Sequence, residues 1–167
     1  NFNCYLFNTL KMSNALKLIL SIAIPLLVGG TAGYFTATGT GTWYQSIKTP
    51  SWNPPNWVFG PVWTFLYIMM GISLYLVWKK DLPGDARRMA FIFFALQLVF
   101  NFCWSFLFFN QHQVGLAFVD IVLLWICLLF TIIFFARISN TAAWMLVPYI
   151  AWVSFAGILN FTIWKLN

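Results

Sequence analysis

The chain has no glutamate. Three aspartates are its only acids, against nine lysines and arginines in 167 residues. Charged residues make up 7% of the whole, where a soluble domain carries about 25%. So little charge cannot cover a water-facing surface, and a soluble domain is excluded. Only Asp120 falls inside an apolar run, so paired-carboxylate catalysis and a proton relay through the membrane have no second member. A packing or helix-start role suits Asp120 better, since acids near helix N-termini are favoured by the dipole. A single histidine, His112, lies in a polar turn and reads as a solvated residue rather than a haem ligand. Cys4, Cys103 and Cys127 have neither metal-type spacing nor a disulfide framework. No phosphate loop and no nucleophile–histidine spacing is present. The net charge of +6 would suggest nucleic acid in a soluble protein. Here the basic residues cap apolar runs and read as topology signals.

What is plentiful is apolar and aromatic, 62% and 21% of the residues. Five runs, at about 16–35, 56–78, 88–109, 114–136 and 143–164, are each long enough to cross a hydrocarbon core of ~30 Å. Only helices and closed barrels satisfy the backbone in lipid, and these runs are too long and continuous for barrel strands. The expected fold is all-α: an integral membrane bundle of five helices forming one domain over 16–165. Residues 1–15 read as an unstructured extension, with Met12 as a plausible start. The first run exceeds the ~7–15 apolar residues of a signal peptide, so a retained helix is expected, kinked at Pro25. Its Gly29, Gly30, Gly33 and Ala37 form a thin side that permits close helix approach. That side, with Ala90 and Ala95 of the third run, is a candidate dimer face. Residues 36–42, rich in Gly and Thr, have no helical signal and should be flexible. Pro148 should interrupt the fifth helix.

Lys11, Lys17, Lys79, Lys80, Arg87, Arg88 and Arg137 fall on one side of the membrane, and Lys48 and Lys165 on the other. The positive-inside rule makes the first side, with the N-terminus, cytoplasmic in a bacterial membrane.

The chain is organised around Trp43–Trp63, which holds Trp43, Trp52, Trp57 and Trp63 with Pro50, Pro54, Pro55 and Pro61. Prolines 54 and 55 cannot lie within a helix. An ordered, extended loop over 49–56 is therefore expected, with a helix beginning near Pro55–Trp57. Indoles favour the membrane boundary, so both an interfacial anchor and a lid over a cavity are open readings. Beyond the loop, polar residues recur at helical spacing. Gln97, Asn101 and Ser105 share one face, beside Trp104. Trp63, Tyr67 and Gly71 share another, and Tyr149, Trp152, Ala156 and Asn160 a third. Such stripes serve as interhelical glue or converge on a small-molecule pocket, with apolar walls and a few placed polar groups. The flat rings would suit a planar, hydrophobic ligand.

The run Trp43-Tyr44, Lys48-x-Pro50-Ser51-Trp52-x-Pro54-Pro55-x-Trp57-x-x-Gly60-Pro61-Val62-Trp63 resembles the signature of the TspO/MBR family, the tryptophan-rich sensory and translocator proteins. Further matches are Tyr75–Trp78, Asn101 with Trp104, Val119-Asp120, and the stretch from Pro148 to Asn160. The resemblance implies a five-helix membrane bundle, usually a homodimer, in a bacterial envelope or the outer mitochondrial membrane. It requires no cofactor. It implies binding of tetrapyrroles, such as protoporphyrin IX and haem, and of isoquinoline or benzodiazepine-type compounds. Carried over, the binding residues are Tyr44, Trp63, Tyr67, Gln97, Asn101, Trp104, Trp152 and Ala156. Trp63 and Trp152 would be the reacting indoles if protoporphyrin is degraded in light, and transport of lipophiles is a further implied role. Phe161 stands where the animal sterol motif has tyrosine, which weakens the case for sterol.

Overall fold

The computed structural model describes residues 12–39, 43–80 and 84–167. Five helical stretches are long and apolar enough to cross a membrane, and the described residues contain no strand. The protein is therefore a multi-pass integral membrane protein. The first span is α1 (Asn14–Gly39). A one-turn helix, α2 (Trp43–Ser46), precedes the proline loop. Then come α3 (Asn56–Trp78), α4 (Asp85–Ser105) and α5 (Val114–Ala136). The last span is divided into α6 (Asn140–Met145) and α7 (Val147–Leu166). Lys11, Cys4 and the turn over 81–83 lie outside the described residues.

Local chemistry sets these boundaries. Ser13 accepts from the Leu16 N–H at 3.2 Å, an N-cap contact that starts α1. Asn14 and Ala15 are thus helical, although 1–15 reads as unstructured in the sequence. Pro55 caps α3, where its missing N–H costs nothing. Asp85 stands in the first turn of α4, three residues before the expected start, where a carboxylate meets the positive end of the helix dipole. The break before α7 falls at Leu146, and Pro148 occupies the first turn of the new helix rather than the break itself.

The segment expected to be flexible departs most from its sequence. Helix α1 continues through Thr36 to Gly39, and residues 40–42 lie outside the described residues. In water, threonine competes with the helix by bonding the backbone elsewhere. In lipid it has no such option. The Thr36 hydroxyl donates to the Ala32 carbonyl at 3.1 Å. Thr64, Thr131 and Thr162 do the same to their own helices.

Two groups of helices make the bundle. Helix α1 packs on α3 and, less extensively, on α4; α5 packs on α4, α6 and α7. On the side away from the loop, α3 is tied to α6 by the Ser73 hydroxyl, which donates to the Ala142 carbonyl at 2.7 Å. On the loop side, α3 and α7 meet through rings. Trp63 stands edge-on to Tyr149 at 6.1 Å, and Phe59 edge-on to Trp152 at 5.9 Å. Bulky side chains there hold the backbones apart.

The chain entering the loop is pinned twice. Trp43 stacks on His112 with ring centroids 4.2 Å apart and planes 14° from parallel. His112 adopts φ 55°, the left-handed region, which lets the chain turn sharply between α4 and α5. Five residues further on, the Asn167 amide takes both backbone groups of Lys48, accepting its N–H at 2.9 Å and donating to its carbonyl at 3.0 Å. Replacing Asn167 by alanine should free the backbone around Lys48. Trypsin should then cut after this exposed lysine several-fold faster, the consequence of losing roughly 1 kcal/mol of local stability. Unchanged cleavage would mean that the clasp does not hold the loop.

Candidate functional site

Below the loop lies a cavity of about 570 Å³, within the ~300–1,000 Å³ of small-molecule sites. Each wall is built by its helix. On α3, Phe59, Trp63 and Tyr67 recur every four residues and face inward. Trp63 stacks on Tyr67 at 5.6 Å. On α1, the thin side with Gly29, Gly30 and Gly33 forms the opposite wall, so backbone there takes the place of side chains. From α7 come Ala156, Leu159, Asn160 and Ile163.

The α4 wall depends on a local irregularity. After Ser105 the helix widens into a π-turn, Phe106–Asn110, closed by the Gln111 N–H donating to the Phe106 carbonyl at 3.0 Å. One extra residue in a turn rotates the side chains beyond it, and Phe108 and Phe109 both line the cavity. Trp104 lies stacked on Phe108 at 5.5 Å. Its indole N–H donates to the Asn160 Oδ1 at 2.9 Å, while the Asn160 Nδ2 donates to the Val114 carbonyl at 2.9 Å. Asn160 is thereby committed to the protein, and it fixes Trp104 in place.

Of the eight residues singled out in the sequence, Tyr44, Trp63, Tyr67, Trp104 and Ala156 line the cavity. Gln97 and Asn101 do not. They stand behind Tyr67 in a buried, neutral network. The Tyr67 hydroxyl donates to the Asn101 Oδ1. The Asn101 Nδ2 donates to the Tyr149 hydroxyl at 3.0 Å, which donates to the Gln97 Oε1 at 2.9 Å. This network locks the Tyr67 ring from behind, and it draws in Tyr149, which sequence spacing places on a separate stripe. Trp152 also stands outside the lining, behind Phe59 and beside Phe155 at 5.4 Å. Its indole N–H is buried without a hydrogen-bond partner among the described residues.

Phe59, Phe108 and Phe109 line the cavity without having been singled out in the sequence. Phe59 and Phe109 carry a signal there, since they extend the Trp63–Tyr67 and Asn101–Ser105 stripes by four residues. Phe108 carries the same signal, since it lies four residues beyond Trp104 and stacks on it.

At the loop end, Tyr44 is 8% exposed and donates to the Asn53 Oδ1 at 3.3 Å. Burial pushes its phenol above the usual value of 10, and the Asn53 hydrogen bond opposes that shift more weakly. The hydroxyl therefore stays neutral at any physiological pH. No group of metal-ligating side chains occurs among the described residues, and His112 stands outside the lining. The walls offer stacking surface and a few neutral hydroxyls.

Five spans around an aromatic cavity, with Tyr44 and Asn56 at its loop end, make a multi-pass membrane protein with an internal small-molecule-sized site. The sequence profile of the TspO/MBR family matches residues 21–165, and the chain belongs to that family. It is 46% identical over 156 residues to the tryptophan-rich protein TspO of Chlorobaculum tepidum, covering 91% of this chain and 96% of the relative. Against the protein of the same name from Archaeoglobus fulgidus, identity is 42%, covering 92% of this chain and 99% of the relative. The human translocator protein is 40% identical over 128 residues, 75% of each chain.

Proposed function

We propose that this protein is a membrane receptor that binds tetrapyrroles, protoporphyrin IX and haem among them, in the cavity beneath the loop. The observation that carries this reading is the cavity's form. Rings from α3 and from α4 with its π-turn face a wall of bare glycine backbone on α1, which makes a slot for a flat, largely apolar molecule. Isoquinoline and benzodiazepine-type compounds share that shape and would compete for the slot. The protein works as a homodimer, with the N-terminus on the cytoplasmic side of a bacterial membrane. The experiment is a titration of the purified protein with protoporphyrin IX, read by quenching of tryptophan fluorescence. Saturable binding that a benzodiazepine-type compound displaces is the expected result. A linear, non-saturating signal equal to that of empty lipid would overturn the reading.

One observation favours a second reading, light-dependent degradation of the bound porphyrin. Trp63 borders the cavity and is in ring contact with both Tyr67 and Tyr149, so an oxidised indole there would have neighbours to share the hole. Trp152 would serve from behind Phe59. Porphyrin spectra that stay the same in illuminated and dark samples would remove this reading and leave simple binding.

A further inference from the structure

The cavity is closed unevenly. On α1, Gly30, Gly33 and Ala37 line it and are themselves exposed, and so are Asn56, Gly60 and Thr64 on α3. A Cβ added to Gly30, Gly33 or Gly60 would meet no atom of the described residues within 4 Å. Elsewhere the same two helices are clamped. A Cβ on Gly71 would stand 2.6 Å from the Ile22 Cα, and Gly29 lies directly against the Tyr67 ring. The contacts run antiparallel, so α1 and α3 touch away from the loop and part towards it. The parted stretch of α1, Gly30 to Ala37, spans ~10 Å at 1.5 Å per residue.

The other sides are shut. Ser105, Phe108 and Phe109 are buried, as are Ala156, Leu159 and Ile163. The loop end is held by the Tyr44–Asn53 bond, the Trp43–His112 stack and the Asn167 clasp on Lys48. The gap between α1 and α3 lies along two membrane-spanning helices, so it faces hydrocarbon. Its two threonines are turned back on their own helices: Thr36 bonds the Ala32 carbonyl and Thr64 the Gly60 carbonyl, at 3.1 and 2.9 Å. Such an opening passes an apolar ring and leaves ionised groups, such as the two carboxylates of protoporphyrin IX, to trail at the membrane surface.

We propose that the cavity is loaded sideways from the lipid, through a mouth between α1 and α3 that Gly30, Gly33 and Gly60 keep open. The site then selects flat lipophilic molecules already dissolved in the leaflet on the loop's side, and water-soluble compounds of the same size are excluded by route rather than by fit. This rests on the proposed function, that the cavity holds a small molecule, but the mouth can be tested without any porphyrin.

The test places a thiol on the far wall with Ser105→Cys, in a background of Cys4→Ala, Cys103→Ala and Cys127→Ala. The protein is held in phosphatidylcholine nanodiscs and labelled with pyrenyl maleimide. Adding Gly33→Leu and Gly60→Leu should slow labelling by about tenfold or more, whereas the matching alanines should stay within about threefold of the parent. Asn167→Ala, which frees the chain at Lys48 without touching the lining, should leave the rate unchanged. Labelling indifferent to the leucines, or greatly accelerated by Asn167→Ala, would overturn the proposal in favour of a route through the loop. If the leucine pair does not fold, a series of maleimides of rising lipid solubility decides on the parent alone. Rates should track the concentration in the membrane, and rates that track the aqueous concentration overturn the mouth. Protoporphyrin IX binding is read separately in the same discs. Loss of that binding with lateral labelling intact would remove the porphyrin reading and leave the mouth standing.

Discussion

Gly71→Val should unseat α1. A side chain at this position points at the backbone of the first helix. Its Cβ would lie 2.6 Å from the Ile22 Cα and 2.9 Å from the Ser21 carbonyl oxygen. Neither atom can rotate away as the end of a flexible side chain would, so the helix as a whole must move. Overpacking of this kind costs up to about 3 kcal/mol, on the order of 10 °C in Tm for a chain of this size. Lipid offers little to offset it, because helix association there depends on close packing rather than on exclusion of water. The cavity should be lost with the contact, since α1 supplies its glycine wall. Gly30→Val is the control. It adds the same side chain to α1 itself, where no atom of the described residues lies within 4 Å, and should leave stability unchanged or raise it by a few tenths of a kcal/mol, since valine ranks above glycine in helix propensity. Thermal unfolding monitored by circular dichroism compares the two. Equal melting temperatures would mean that α1 is not held by the contact at Gly71.

That contrast between two glycines bears on what the sequence reveals. The five spans are legible because lipid imposes one rule on every residue: an apolar run of sufficient length must be a helix. The helix start at Asn56 is legible because proline has few places to go. The thin face of α1 is also visible, but its use is not. Gly29 and Gly71 permit close approach, as small residues in membranes often do, whereas Gly30 and Gly33 on the same helix as Gly29 face open space. Sequence spacing cannot separate these roles, because they depend on the angle at which α1 crosses α3.

The cavity is partly legible for a similar reason. Stripes at a spacing of four residues pick out the inward faces of α3, α4 and α7, and five of the eight residues chosen from the sequence reach the lining. Depth along a stripe is another matter. Gln97 and Asn101 lie on the same face of α4 as Ser105, further from the loop, where Tyr67 and Tyr149 fill the space and bond them. Their amides hold the floor in place. Deleting either would leave a phenol or amide unpaired in a region without water, at a cost of ~1–3 kcal/mol. Phe108 follows Trp104 at the same spacing of four, although the turn that carries it is a π-turn that sequence spacing does not reveal.

Trp63→Ala should weaken protoporphyrin IX binding by about thirtyfold, while Trp152→Ala should change it by about threefold or less. The difference comes from where the two indoles stand. Trp63 lines the cavity, with its ring stacked on Tyr67 and edge-on to Tyr149. It is therefore held rigidly and loses little freedom when a flat molecule lies against it. A preorganised aromatic wall of this size contributes roughly 2 kcal/mol through buried area and ring contact, which is the thirtyfold. Trp152 reaches the ligand only through Phe59, so its removal should loosen a neighbour without deleting a contact. Trp63→Phe should recover most of the lost affinity, because it restores a ring to the same wall, whereas a merely structural role for the indole would leave both substitutions equally impaired. Quenching titrations on the three variants, each checked for an unchanged melting temperature, measure this directly. Equal losses at Trp63 and Trp152 would place the ligand elsewhere, on the α7 side behind Phe59, where the unpaired indole N–H of Trp152 would then be its polar anchor.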